Sequence, residues 1–168
     1  LNIGTRQGGN YFDSRFTYGS FNTREVQAAY GREADGFAQN YFVARQLTDS
    51  YRANGDSNKY TVGGKWFVTS NDKAVTAGLV VRTYQHTSGE PGFLTAAELA
   101  ADRRQSPRKN ANDKTDRDMH HASAHLDWHI PPNAFLSNKL YYNEYKHDRR
   151  VTFTSNPEGN APRQRRLW

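Results

Sequence analysis

From Asp118 to Ile130 the chain reads Asp118-Met-His-His-Ala-Ser-Ala-His-Leu-Asp-Trp-His-Ile130. The even positions Ala122, Ala124, Leu126, Trp128 and Ile130 are apolar, while the odd positions His121, Ser123, His125, Asp127 and His129 are polar. Successive side chains of a strand point to opposite faces, so this period of two predicts a strand with one apolar and one polar face.

The pattern recurs on both sides of this run. Tyr60, Val62, Gly64, Trp66 and Val68 alternate with Thr61, Lys65 and Thr69. Val75, Ala77, Leu79 and Val81 stand against Thr76, Arg82, Tyr84 and His86, and Phe12, Phe16 and Tyr18 against Asp13, Arg15 and Thr17. Seven alternating runs can be drawn, at Asn10 to Phe21, Thr23 to Gly31, Gly36 to Leu47, Lys59 to Thr69, Ala74 to Thr87, Asp118 to Ile130 and Phe135 to His147. In the third and seventh, Tyr41-Phe42-Val43 and Tyr141-Tyr142 put rings on both faces, which leaves their orientation open. The links Ser70 to Lys73 and Pro131 to Ala134 are short, whereas Ser50 to Asn58 and Ser88 to Arg117 are long. Short turns at one end and long loops at the other are the pattern of an outer-membrane β-barrel. Trp66 and Trp128 each precede a short turn, where a ring belt at the membrane interface would place them.

Composition fits strands better than an ordinary globular core. Of 168 residues 35% are hydrophobic and 13% aromatic, with ten Tyr, nine Phe and three Trp. Mean hydropathy is -0.98. Disordered chains lack such rings, and a barrel strand, half lipid-facing and half lumen-facing, looks soluble on average. No apolar run is long enough for a spanning helix, and Leu1 opens no leader-like segment. The absence of Cys excludes a disulfide framework and a thiolate metal site. A net charge of +6 suits an anionic partner without choosing among them.

In the longest link, Thr95 and Glu98 have capping-box spacing and predict a short helix over Ala96 to Arg104. A long loop with its own helix points to function rather than to a plain connection. It also carries Arg103, Arg104, Arg108, Lys109, Lys114 and Arg117, partly offset by Asp113 and Asp116. Guanidinium forks suit carboxylate or phosphate. Arg103, Arg104 and Arg108 are therefore candidate ligand contacts, with Arg82, Tyr84 and His86 near the outer end of the fifth run and His121 and His125 on the polar face of the sixth. Clustered His120, His121, His125 and His129 invite a metal reading, but His121 and His125 on a strand would stand roughly 13 Å apart. Metal-to-nitrogen bonds of about 2 Å cannot be met by that set alone. No metal site is expected, no resident cofactor is called for, and no motif of nucleotide binding, nucleophilic catalysis or zinc hydrolysis occurs. The chain is not expected to be an enzyme.

Leu1-Asn-Ile-Gly-Thr-Arg-Gln-Gly-Gly9 resembles the last plug strand of TonB-dependent outer-membrane receptors, and Tyr18-Gly-Ser-Phe-Asn-Thr-Arg24 is similar to their first barrel hairpin. Glu90-Pro-Gly-Phe-Leu-Thr95 with Asp102-Arg-Arg-Gln-Ser106 resembles the third outer loop of the branch that includes ferric dicitrate and pyrroloquinoline quinone receptors. The resemblance implies an all-β fold in which residues 1–9 end a plug domain and 10–168 form about seven strands of a twenty-two-stranded barrel, with Arg163 to Trp168 in the next loop. It implies import of a ferric chelate or small cofactor across the bacterial outer membrane, coupling to the TonB complex, and contact with outer-membrane lipid and lipopolysaccharide. The rival from the residues alone is a soluble basic β-domain that binds nucleic acid or another polyanion. Such a domain would gather rings with Arg on one face, whereas here rings share a face with aliphatic residues and charges take the other, so no nucleic-acid partner is expected.

Overall fold

A computed structural model describes residues 8–152 and 164–167. The expectation of a plug strand at Leu1 falls mostly outside the described residues. The chain forms a single antiparallel sheet in sequential order. Its strands are β1 (Tyr11–Gly19), β2 (Thr23–Ala34), β3 (Phe37–Thr48), β4 (Ser57–Thr69), β5 (Val75–Gly89), β6 (Lys114–Ile130), β7 (Ala134–Val151) and β8 (Gln164–Leu167). All seven expected runs are strands. Gln164–Leu167, expected in a loop, instead pairs with Asp148 to Val151 as a short eighth strand.

The register carries the two-faced pattern across the sheet, because directly paired residues share a face. Val68, Ala77 and Leu126 lie side by side, as do Trp66, Leu79, Ala124 and Leu140. Phe12, Tyr30 and Tyr41 continue the apolar face through β1, β2 and β3. Orientation in the two ambiguous runs is now fixed. Tyr41 and Val43 join the apolar face and Phe42 the polar one, while Leu140 and Tyr142 are apolar-face and Tyr141 polar-face residues.

This apolar face is not a core. Among the described residues only Ala38 and Phe67 are buried hydrophobics, and both belong to the polar face. Phe12, Phe16, Val68, Leu79, Trp128 and Leu140 stand exposed. Buried Asn40, Thr115 and Ser123 also lie on the polar face, so its side chains are the more crowded. Phe67 illustrates how that crowding is accommodated, since its ring covers the bare backbone of Gly78 and sits 5.9 Å from the His125 ring.

The apolar face has a sharp end. Beyond Val81 the β5 face continues as Thr83, Gln85 and Thr87, and on β6 Ala122 gives way to His120, Asp118 and Asp116. The ion pairs Lys114–Asp116, Lys146–Glu144 and Arg150–Asp148, at 2.9, 2.7 and 2.8 Å, decorate that extension. The strands therefore run past the alternating segments: β6 starts at Lys114 rather than Asp118, and β7 reaches Val151 rather than His147. Polar residues on both faces erase the period of two there, so the extension was not readable as strand.

Connections alternate as expected. One end has the tight links Asp35-Gly36, Ser70 to Ala74 and Pro131 to Asn133. Asp35 and Gly36 have φ of 50° and 74°, as a two-residue hairpin turn requires. The other end carries Ser20 to Asn22, Asp49 to Asp56 and the long loop Glu90 to Asp113. The loop helix α1 (Ala96–Ala101) has the complete Thr95–Glu98 capping box but stops before Arg104, because Asp102 turns to extended backbone with φ of -158°.

The Thr95 N–H donates to the Glu98 carboxylate at 2.7 Å and holds it below the usual carboxylate range. A depressed carboxyl contributes above its unfolded pKa and loses that contribution as pH falls through the lower folded value. Thr95→Ala is expected to raise amide exchange at Leu99 and Asp102 about fivefold, since an N-cap is worth about 1 kcal/mol. Exchange mass spectrometry of the loop peptide checks this, and unchanged rates would remove the cap from the account.

Candidate functional site

The long-loop end and the polar face of β4 to β7 hold all the sequence-derived ligand candidates. Arg82 pairs directly with His121, Tyr84 with Met119 and His86 with Arg117. The wall thus brings Arg82 and His121 together. His121 Nδ1 lies 2.6 Å from Asn143 Oδ1, and Ser123 Oγ links His121 Nε2 at 3.3 Å to His125 Nε2 at 3.0 Å. His120 faces the opposite side, where Thr83 Oγ1 is 3.2 Å from its Nδ1. No group of three or more metal-ligating side chains occurs among the described residues.

Near the top of the wall the register aligns Lys59, His86, Arg117 and His147 on four consecutive strands. Of these, sequence reasoning made only His86 a ligand candidate and placed Arg117 in the basic group of the long loop, since the four share no local motif. His86 Nε2 is 3.0 Å from Ser57 Oγ, and its buried Nδ1 has no partner. His147 Nε2 lies 2.8 Å from Thr115 Oγ1 and accepts from Arg117 Nε at 3.4 Å. The row sits level with Gln85, Asp118 and Lys146 of the opposite face, beyond its apolar band. Burial, reinforced by Lys59 and Arg117, holds the His86 pKa below its usual value. Burial followed by Arg117 and Arg149 does the same for His147.

The three loop arginines take different surroundings. Arg104 packs its guanidinium over Tyr51 at 5.3 Å and Phe21 at 5.9 Å, two rings that meet edge to face at 5.6 Å. It thereby ties together the three loops described at this end. Arg103 lies beside Tyr51, Phe93 and Leu99 at the loop surface, and Arg108 enters a short 3-10 turn.

What holds the long loop in place comes from residues that motif reading passed over. Arg52 donates to the carbonyls of Gly92 at 2.7 Å, Pro91 at 3.0 Å and Gln105 at 3.0 and 3.1 Å. Asn54 Nδ2 donates to the carbonyls of Asn110, Glu90 and Asp113 at 2.7, 3.1 and 3.1 Å. The base of the loop is closed by Asp113, which is 1% exposed and accepts from Asn110 Nδ2, Thr152 N and Thr152 Oγ1. Arg149 adds a two-pronged bond to Glu90 at 3.0 and 3.2 Å. Phe93, 92% exposed, is left at the surface of this otherwise anchored loop. The loop end thus holds an anchored loop and the exposed rings of Phe93, Phe21 and Tyr51 beside the basic, histidine-rich polar face. No protein-family model matches the chain, and no curated protein matches it.

Proposed function

We propose that this sheet is part of the wall of a transmembrane β-barrel in a bacterial outer membrane, with its apolar face toward lipid and its polar face toward the lumen. The observation that carries the reading is the exposed, mainly apolar face that runs across seven strands and gives way to polar residues and ion pairs on β5, β6 and β7. A water-soluble sheet rarely exposes a contiguous apolar patch beyond a few hundred Å². From Ala122 to Ile130 the apolar side of β6 extends roughly 26 Å along the strand at about 3.3 Å per residue. Strand tilt of about 40° reduces that to roughly 20 Å of height, close to the apolar band of barrel proteins. A sandwich that packed this face on another sheet would keep it apolar along the strands, whereas here ion pairs take it over beyond Ala122.

Among the described residues the edges of β1 and β8 are unpaired on one side, and hydrocarbon does not tolerate such edges. The wall therefore belongs to a larger closed barrel. With the sequence resemblance to TonB-dependent receptors, the function this supports is energised import of a scarce anionic nutrient, such as a ferric chelate or a quinone cofactor. Long loops meet the ligand outside and the inner wall receives it. Trp66 and Trp128 then mark the periplasmic interface. The chain is read as a receptor wall and not as an enzyme.

Membrane fractionation with an antibody against Glu90 to Arg108 tests this. The expected result is an outer-membrane band larger than 19.2 kDa whose mobility changes on boiling. A soluble 19.2 kDa band unaffected by boiling overturns it and favours the polyanion-binding β-domain.

A further inference from the structure

Lys59, His86, Arg117 and His147 form a ladder in which two permanent cations alternate with two imidazoles on one face. Neighbouring strands are about 4.8 Å apart, so Lys59 and Arg117 flank His86, and His86 and His147 lie about 10 Å apart. Arg149 follows His147 on the same face of β7.

The surroundings leave this charge largely uncompensated. Along β4 and β5 the same-face neighbours of the row are Ser57, Thr61, Tyr84 and Ser88, and on β6 and β7 they are Thr115, Met119, Tyr145 and Arg149. Asp116, Asp118 and Asp148 point to the other face. Glu90, the carboxylate of the loop packed above, is paired with Arg149 and offsets part of the charge at His86 and His147, as Asp148 does at His147. On the far side the row continues through Gln46 to Glu25, which is held by Gln27. Like charges so close raise the cost of protonating either imidazole, and an anion between them reverses that cost.

We propose that the row Lys59, His86, Arg117 and His147 binds an extended dianion, a dicarboxylate whose two carboxylates lie about 10 Å apart, and that binding is accompanied by proton uptake at His86 and His147. One carboxylate sits over His86 between Lys59 and Arg117, the other over His147 beside Arg117. The proposal rests on the receptor-wall reading, which makes this face the lumen. The sign follows from linkage: the cations of the free site disfavour protonation of both imidazoles, a bound anion favours it, and affinity therefore increases as pH falls.

The test uses the protein isolated from its own membrane in detergent and linear α,ω-dicarboxylates of graded length as probes, read by titration calorimetry. Binding is expected to peak for the chain that spans about 10 Å and to strengthen about tenfold between about pH 8 and pH 5.5. Proton uptake is read from the dependence of the heat on buffer ionisation enthalpy. His86→Gln with His147→Gln is expected to abolish the pH dependence, and Lys59→Gln or Arg117→Gln to weaken binding at least about tenfold. Binding without a length optimum, or unchanged by Lys59→Gln and Arg117→Gln, overturns the proposal. So does an absence of binding, with these variants instead lowering thermal stability, which would assign the row to an acidic segment of the protein itself. In each of those cases the protein still requires detergent and shifts on boiling. Loss of those two properties sinks the receptor-wall reading instead, and with it the lumen placement of the row.

Discussion

Leu140→Arg is expected to prevent stable membrane assembly while its neighbour Tyr141→Arg is tolerated. The two residues sit side by side in β7 and are similarly exposed on the sheet, at 77% and 65%. They differ in the face they take, since Leu140 pairs with Ala124 on the apolar side and Tyr141 with Ser123 on the polar side. Leu140 lies on the mainly apolar face between Leu136 and Tyr142, and on the barrel reading an Arg there would face hydrocarbon at a cost of about 2–4 kcal/mol. An Arg at position 141 would face a polar lumen and cost little. Urea titration of the heat-sensitive folded band in lipid vesicles measures both. In a water-soluble sheet each would be a surface substitution worth within about 0.5 kcal/mol, so equal behaviour of the pair would defeat the barrel reading.

The second large effect is expected at Arg52. Its guanidinium satisfies the carbonyls of Pro91, Gly92 and Gln105, at both ends of the α1 segment. Hydrogen bonds from a charged donor contribute about 1.5–3 kcal/mol each in favourable cases. Partial exposure reduces this, and Arg52→Ala is expected to favour loop opening by about 3 kcal/mol in total. Tryptic cleavage after Arg103, Arg104 or Arg108 should then accelerate roughly 100-fold, because cleavage follows the open population. Arg52→Lys should recover little, since a single ammonium cannot reproduce the planar fork that reaches three carbonyls. The strand content read by circular dichroism is expected to persist, because the clamp joins loops and not strands. An unchanged cleavage rate would show that the loop is held by Asn54 and Asp113 without Arg52.

Much of the candidate site was only half legible before the register was known. His86 could be chosen from the polar face of its own strand, and Arg82 and His121 likewise. Their neighbours could not, because Lys59, Arg117 and His147 become a row only when β4, β5, β6 and β7 are paired in register. Arg104 could be chosen as a ligand candidate from its own loop, but its surroundings could not. The rings that engage it, Phe21 and Tyr51, come from two other loops.

By itself the sequence determined the strands, their apolar and polar sides, the alternation of short and long connections and the loop-helix cap. Each of these depends on neighbours within a few residues: side-chain alternation has a period of two, turn residues set backbone geometry, and Thr95 reaches only to Glu98. Tertiary structure decided the orientation of Tyr41-Phe42-Val43 and Tyr141-Tyr142, the strand extensions beyond the apolar band and the pairing of Gln164–Leu167 with β7. It also decided that Arg52 and Asn54 anchor a loop some fifty residues further along the chain, with separations of 53 and 56 for Arg52 to Gln105 and Asn54 to Asn110. The physical reason is common to all of these. Ring-bearing segments fit either face of a strand, and polar segments satisfy their backbone with whichever partner the register supplies, so their conformation is fixed by the neighbour across the sheet or above it.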